Sequence, residues 1–322
     1  LTIDAQGNNR VFNIDDGDSA SSINVTVEGV TITRGAATGN GGGISNAENL
    51  TLTNSTVSGN PASFSIFDDL NGGGIYNSGS LTLSNSTISG NSANRGGGIY
   101  NSGSLTLSNS TISGNSASFG GGIKNSGTAT LTNSAVSRNN SRVYGGGINN
   151  SGTATLTNST ISGNFADTGG GIYNNRTATV TNSTISGNSA SFGGGIRNDV
   201  FGTMTLTNIT VLGNTANFGA GINNNYGTVG ITNSIIANSF KGANVFNSRN
   251  TTLGASGTNL VDDGTISNAL TIEPELSPLQ DNGGATLTHV PLEGSPVIDA
   301  GDNNRIPADT LDLDGDGNTD EP

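Results

Sequence analysis

The chain has no cysteine and no tryptophan, and only one histidine and one methionine among its 322 residues. Without cysteine no disulfide can form, although this does not decide the compartment, because many bacterial surface proteins lack cysteine. Hydrophobic residues make up only 31% of the chain. A compact globule of this length would need more. A thin repeat solenoid needs fewer, because each turn buries only a handful of side chains.

Charge is also scarce along most of the chain. Between Asn71 and Asn238 there are two acids, Asp167 and Asp199, whereas the 61 residues from Asp262 onward hold 14 of the 24 acids. The net charge is −13 and no basic stripe is visible, so we expect no nucleic-acid partner. No apolar run is long enough to span a bilayer and no signal peptide is visible, so we expect no membrane insertion by this segment. The missing initial methionine indicates a mature or excised piece of a longer chain.

What the sequence does contain is one repeated unit, seen most clearly from Gly72 to Asn94. It reads GGGIYNSGSLTLSNSTISGNSAN and returns almost unchanged from Gly96. An isoleucine follows the glycines in each unit, and the steps between successive copies are 31, 24, 24, 25, 24, 24 and 26 residues. These isoleucines are Ile44, Ile75, Ile99, Ile123, Ile148, Ile172, Ile196 and Ile222. A period of about 24 residues indicates a repeat architecture.

Within a unit the apolar residues alternate with polar ones, as in Leu81 to Ser84. Alternation with period two is typical of a strand with one buried face, and three short strands fit into each unit. Strands that repeat in the same direction pair in parallel with their copies in the next unit. The sequence therefore predicts an all-β fold, a right-handed parallel β-helix of about ten coils with a length on the order of 50 Å.

Stacking of the coils predicts columns of identical side chains. One buried apolar column contains Leu52, Leu83, Leu107, Leu131, Leu156, Val180 and Leu206, and a second contains Ile88, Ile112, Ile161 and Ile185. The first asparagine column is a structural ladder of Asn77, Asn101, Asn125, Asn150 and Asn174. The two others contain Asn85, Asn109, Asn133, Asn158 and Asn182, and Asn91, Asn115, Asn139, Asn164 and Asn188. Asparagine tolerates left-handed backbone at bends, and its amide can bond the copies above and below.

Three regions follow from the regularity of the repeats. We expect degenerate N-terminal coils in residues 1–43, regular coils in 44–240, and irregular last coils followed by an acidic C-terminal module in 241–322. An extra loop, Pro61 to Leu70, lengthens the 31-residue unit, and we interpret it as a tolerated insertion rather than a binding loop.

A family resemblance rests on the segments PLQDNGG from Pro278, TLTH from Thr286 and GSPVIDAGD from Gly294, together with the GGGI-x-N and LTNSTISGN repeats. The chain resembles bacterial surface proteins of the choice-of-anchor Q domain family. Its repeats are more loosely similar to those of chlamydial polymorphic outer membrane proteins. The resemblance implies a secreted or surface-displayed β-helix, without implying any chemistry.

The strongest chemical signal is the acidic run from Asp312 to Glu321. Oxygen ligands at alternate positions with glycine at the sixth are typical of a calcium loop. The candidate Ca²⁺ ligands are Asp312, Asp314, Asp316, Asn318 and Asp320. The bidentate glutamate of the twelfth position would fall beyond Pro322, so a solvated acidic tail remains the alternative. Bound calcium would stiffen the segment rather than catalyse a reaction.

The repeats offer little for catalysis. A polysaccharide hydrolase or lyase needs paired acids, or a base beside calcium or arginine, and the coils between Asn71 and Asn238 contain no Glu and no His. His289 stands alone. The outward threonines Thr82, Thr106, Thr130, Thr155, Thr179 and Thr205 form a column. Such a column could bind ice, but threonine also simply suits exposed strand positions. Among the N-x-S/T sequences, Asn139, Asn175 and Asn250 are the candidate glycosylation sites.

We therefore expect a non-enzymatic extracellular structural protein, either a surface stalk or adhesin segment, or a fibre subunit that stacks head to tail. Its partners would be its own copies, other surface or matrix components, or carbohydrate. The alternatives are a polysaccharide-active enzyme and an ice-binding solenoid.

Overall fold

In the computed structural model the described residues are 1–18, 21–62, 70–248 and 251–305. They form a parallel β-solenoid of three long sheets, which confirms the predicted fold class. Each coil contributes one strand to each of the three sheets, and every strand pairs in parallel with its copy in the next coil. The right-handed coil stays a prediction.

The strands repeat with constant length within each sheet, except where the last coils shorten. Sheet A contains Thr2–Asp4, Thr31–Thr33, Thr56–Ser58, Thr87–Ser89, Thr111–Ser113, Ala135–Ser137, Thr160–Ser162, Thr184–Ser186, Thr210–Leu212, Ile235–Ala237 and Leu260–Val261. Sheet B contains Phe12–Ile14, Ile44–Asn46, Ile75–Asn77, Ile99–Asn101, Ile123–Asn125, Ile148–Asn150, Ile172–Asn174, Ile196–Asn198, Ile222–Asn224 and Val245–Asn247. Sheet C contains Asn24–Glu28, Asn49–Thr53, Ser80–Ser84, Ser104–Ser108, Thr128–Thr132, Thr153–Thr157, Thr177–Thr181, Thr203–Thr207, Thr228–Thr232 and Thr252–Ser256. The connection between a sheet A strand and the next sheet B strand carries two short parallel pairs, Ser116–Phe119 with Asn140–Tyr144 and Thr215–Ala216 with Phe240–Lys241. One 3-10 turn spans Asn303–Arg305.

The core is a set of vertical apolar columns, as the period-two pattern predicts. Leu83, Leu107 and Leu131 are register partners in successive coils and are fully buried. The second predicted column is continuous because Val136 fills the position between Ile112 and Ile161. Full burial of each such side chain stabilises the fold by about 1.5–3 kcal/mol relative to exposure, so the columns supply the main stabilising term.

Glycine is required in the triple-glycine segment of each unit for two physical reasons. Gly96 has a φ of +65°, in the left-handed region that glycine adopts without cost. Gly97 has no such backbone, but a Cβ placed there would lie 2.3 Å from the carbonyl oxygen of Ser116 in the next coil. The glycines therefore permit a bend and a close approach of successive coils at the corner before sheet B.

Two of the three asparagine columns are buried ladders. The Nδ2 of Asn77 donates to the Oδ1 of Asn101 at 2.7 Å, and this bond recurs up the column to Asn247. In the second ladder the Nδ2 of Asn91 donates to the Oδ1 of Asn115 at 3.0 Å. The remaining column has left-handed backbone, for example a φ of 49° at Asn109, and forms the bend between sheets C and A. The predicted structural roles of asparagine are confirmed.

The irregular ends belong to the same solenoid. Val25 and Val27 pair with Leu50 and Leu52, so the first 43 residues continue sheets B, C and A. Beyond residue 240, Val245–Asn247, Thr252–Ser256 and Leu260–Val261 extend the three sheets. Residues 63–69 of the extra loop lie outside the described part of the chain, so its interpretation as a tolerated insertion stays a prediction.

The C-terminal edge of sheet A is covered by the chain that follows it. Leu270 pairs with Leu260, and the buried Ile266 joins the main core. The chain then runs back along the outside of sheet A as an antiparallel hairpin, in which Leu276 pairs with Pro291 and Gln280 with Thr288.

The hairpin is fixed to coils far away in sequence. The hydroxyl of Thr160 donates to the carbonyl oxygen of Leu287 at 2.6 Å. His289 bonds the carbonyl oxygen of Ser277 through Nδ1 at 2.7 Å and the hydroxyl of Ser186 through Nε2 at 2.9 Å. Because a carbonyl oxygen only accepts, Nδ1 carries the proton, and neutral Nε2 accepts from Ser186. These contacts assign His289 a structural role.

Candidate functional site

The outer face of sheet B carries a groove of two adjoining recesses. Its floor is the central outward position of each strand, and one wall is the corner residue that precedes the glycines. The floor column contains Lys124, Asn149, Tyr173, Arg197, Asn223 and Phe246. The wall column contains Arg95, Phe119, Tyr144, Thr168, Phe192 and Phe218. Because both columns follow the coil register, their side chains lie beside one another along the rod axis.

Aromatic rings dominate the wall and lean onto the floor. Tyr144 stacks on Tyr173 with ring centroids 4.6 Å apart, and Phe119 lies 5.8 Å from Tyr144 on its other side. Phe192 stacks on Phe218 at 5.4 Å. Thr168 replaces an aromatic residue between Tyr144 and Phe192, and this shorter side chain opens the wall.

The first recess, which we call the Lys124 recess, has a volume of about 210 Å³. The Nζ of Lys124 donates to the Oδ1 of Asn149 at 3.1 Å and also to the hydroxyl of Ser151. Burial, and secondly the nearby guanidinium of Arg95, lower the pKa of Lys124 to about 8. On the opposite side, the Oδ1 of Asn175 is buried and has no hydrogen-bond partner. The recess thus contains a buried ammonium close to a guanidinium, and an amide oxygen that accepts no hydrogen bond.

The second recess, the Arg197 recess, has a volume of about 360 Å³ and shares Tyr144 with the first. Arg197 donates to the Oδ1 of Asn223 at 2.8 Å and lies 3.5 Å from Asp199, while its Nε is buried without a partner. Its guanidinium lies 5.8 Å from the centre of the Phe192 ring.

Asp199 is held as a carboxylate by its neighbours. Burial alone would raise its pKa, but hydrogen bonds from Asn225 and Tyr173, each 2.8 Å long, keep the pKa below the usual value. Burial and the bond to Asp199 raise the pKa of Tyr173, so its hydroxyl stays protonated. Asp199 therefore orients Tyr173 and Arg197 and is poorly suited to donate a proton.

The glycosylation candidates have different outcomes. The prediction of Asn139 as a glycosylation site is wrong, because the residue is only 1% exposed. Its Nδ2 donates to the carbonyl oxygen of Ile112 and to the Oδ1 of Asn164 inside the second ladder. Asn175 is half-buried at the groove and stays a prediction. Asn250 lies outside the described residues.

The calcium candidates Asp312, Asp314, Asp316, Asn318 and Asp320 also lie outside the described residues, so the acidic loop stays a prediction. Within the described ranges, one group of three acids could meet a cation: Asp15, Asp16 and Glu48. The buried Glu48 already accepts hydrogen bonds from the backbone of Asp16 and Ile23. This cluster is therefore explained by its own contacts.

The predicted threonine column is outward and in register on sheet C, as Thr82, Thr106 and Thr130 show. Its members are half-buried or exposed. Ice binding through this column stays a prediction that thermal hysteresis would test.

The groove was missed in the sequence, although a signal existed. The residue after each glycine-following isoleucine varies among Ser, Tyr, Lys, Asn and Arg, whereas its neighbours in the repeat are nearly constant. A single variable position in a repeat marks a column that the fold does not constrain. In a coil, that column must face solvent.

Comparisons with protein-family models, with curated proteins and with solved structures gave no match. The resemblance to choice-of-anchor Q proteins accordingly stays a prediction. Among the described residues, no helix is long and apolar enough to cross a membrane.

Proposed function

We propose that the protein is a non-enzymatic extracellular or cell-surface rod, a stalk or adhesin segment, that binds carbohydrate along the sheet B groove. The observation that carries the proposal is the continuous floor and wall of aromatic, amide and cationic side chains, in contrast to the uniform Ser and Thr positions of sheet C. Aromatic rings pack on the apolar faces of sugar rings, and amides and hydroxyls match sugar hydroxyls as both donors and acceptors.

The groove chemistry fits a sugar chain better than a folded peptide segment. An amphipathic helix needs a hydrophobic groove and an added strand needs an open sheet edge, whereas the lining here combines ring surfaces with Asn149, Ser151, Asn223 and Asn225. The two recesses follow each other along the rod axis, so a linear chain can occupy both.

The ends of the solenoid favour a stalk over a fibre subunit. Stacking copies head to tail requires open strand edges at both ends. The Leu260–Leu270 pairing covers the C-terminal edge of sheet A, and the adjacent Ile266 is buried in the core. Head-to-tail association through sheet A would require this cover to move.

Binding of labelled polysaccharides to the full chain tests the proposal. We expect Tyr144→Ala to weaken binding by about tenfold, which is the low end of the about 1–3 kcal/mol that an aromatic side chain contributes when a planar base stacks on it. The matched control is Phe165→Ala, which removes an exposed aromatic side chain outside both recesses. Equal loss in both variants, or no binding by the wild type to any neutral or acidic polysaccharide, would overturn the proposal.

A second candidate is a polysaccharide lyase, favoured by Lys124. An amine with a pKa of about 8 can remove a proton beside a sugar carboxylate near neutral pH. A hydrolase is less favoured, because it needs two carboxylates and the described lining residues include one, Asp199. Formation of unsaturated sugar products, detected by ultraviolet absorbance and lost in Lys124→Gln, would establish this alternative.

A further inference from the structure

We infer that the Lys124 recess is a subsite for the anionic group, a carboxylate or a sulfate ester, of an acidic sugar unit. This inference rests on the proposed function, since it names the class of carbohydrate that the groove takes. Three observations support the inference: the geometry of the recess, the charges that line the groove, and the hydrogen bonds that position Lys124.

Lys124 is positioned by two neutral partners and by no acid. Its Nζ has three protons, of which Asn149 and Ser151 accept two, so one remains for a ligand. Among the described residues that line the recess, Arg95 is a second basic residue and no carboxylate occurs. An anion entering the recess would therefore meet the Lys124 ammonium without displacing an internal partner of Lys124.

The electrostatics of the groove oppose those of the whole chain. The net charge of the protein is −13, yet the described lining residues of the two recesses include the basic residues Arg95, Lys124 and Arg197 and one acid, Asp199. A local excess of positive charge on an acidic protein attracts anionic ligands and gives them orientation.

The ring surfaces restrict the ligand to a sugar that carries its charge on a ring. The Lys124 recess is smaller than the roughly 300–1,000 Å³ of drug-sized sites, and Phe119, Tyr144 and Tyr173 form its sides. One ring with one acidic group fits this combination, and the adjoining Arg197 recess can receive the neighbouring unit.

Unliganded, Lys124 is a cation held close to another cation in a desolvated site, and burial and Arg95 lower its pKa to about 8. A bound anion favours the charged amine, so affinity falls as the pH rises through this value. Among the described residues that line the recess, the other titratable groups are Arg95, Tyr144 and Tyr173. All three remain in Lys124→Arg, whose guanidinium stays charged throughout.

The test compares binding of polygalacturonate, dextran sulfate and neutral dextran to the full chain at constant ionic strength. We expect the acidic polymers to bind more tightly than dextran. Lys124→Gln should weaken acidic binding by about tenfold or more, as expected for hydrogen bonds to a charged group, and should weaken dextran binding by a much smaller factor. Lys241→Gln, an exposed lysine outside both recesses, is the matched control and should bind as the wild type does.

The pH series separates a binding role of Lys124 from a structural one. From about pH 7 to about pH 9.5, wild-type affinity for the acidic polymers should fall while that of Lys124→Arg stays constant. Preference for polygalacturonate identifies a carboxylate, and preference for dextran sulfate identifies a sulfate ester.

Two results would contradict the inference. Equal binding of dextran and the acidic polymers, unaffected by Lys124→Gln, would overturn the inference and leave the proposed function intact. Binding of single-stranded DNA as tight as that of the acidic polysaccharides would show general polyanion attraction and would also overturn it. Absence of binding to all three polysaccharides would overturn the proposed function as well.

Discussion

Asn101 shows how much one polar side chain can stabilise a coil. Its Nδ2 donates to Gly103, Asn125 and Thr128, and its Oδ1 accepts from Asn77 at 2.7 Å, all at a fully buried position. Buried polar groups are costly unless they are paired, so the ladder pairs every amide with the next coil.

Removing one ladder amide should therefore destabilise the rod locally. We expect Asn101→Ala to lower the free energy of unfolding by about 1–3 kcal/mol, because buried partners lose their hydrogen bonds. Asn109→Gly is the control, since Asn109 is exposed and has a φ of 49° that glycine also adopts. Urea unfolding monitored by circular dichroism measures both variants, and similar midpoints would argue against the ladder.

The glycine corner gives a second residue-scale prediction. A Cβ at Gly97 would lie 2.3 Å and 2.6 Å from backbone oxygens of the next coil, so Gly97→Ala should cost about 1–3 kcal/mol or more. Gly230→Ala, in the strand Thr228–Thr232 with nothing within 4 Å, should leave the melting temperature unchanged or raise it. Equal melting of both variants would contradict the close approach of the coils.

At the scale of elements, the strands were predictable and the returning hairpin was not. Register between Leu83, Leu107 and Leu131 follows from a constant period, because identical units can only superpose in one way. Leu287 and His289 contact Thr160 and Ser186, more than a hundred residues earlier, and no periodic pattern encodes that pairing. The hairpin sequence contains no repeat, so its partner could not be read from spacing.

His289 makes the docking of this hairpin sensitive to pH. Burial lowers its pKa below the ordinary value of about 6.5, so the docked state favours the neutral ring. Docking is therefore fully stable above the unfolded pKa of about 6.5 and loses stability as the pH falls below it. Hydrogen exchange of residues 277–290 should be faster at about pH 5 than at about pH 7.5, after correction for intrinsic rates.

The control for this prediction is His289→Gln, which keeps polar contacts without titrating in this range. It should abolish most of the extra opening at low pH, while the neighbouring carboxylates, such as Glu275, are still present. An unchanged acid response in the variant would assign the effect to those carboxylates.

At the scale of the whole molecule, the described coils form a narrow rod with one chemically varied face. The architecture, its columns and its continuation into the irregular ends were predictable, since each follows from the repeat. The groove was not predicted, because Lys124 and Tyr144 differ from their copies in other coils and repeat analysis discards such differences. Function in this rod therefore lies where the repeat varies.

The most direct test of this claim is a hydrogen-exchange footprint of the full chain saturated with an acidic polysaccharide. We predict protection of the peptides around Phe119 to Asn125 and Tyr144 to Asn150, with little change along the Thr82, Thr106 and Thr130 face of sheet C. Protection confined to the sheet C face, or the absence of any protected peptide under saturating polymer, would contradict the account.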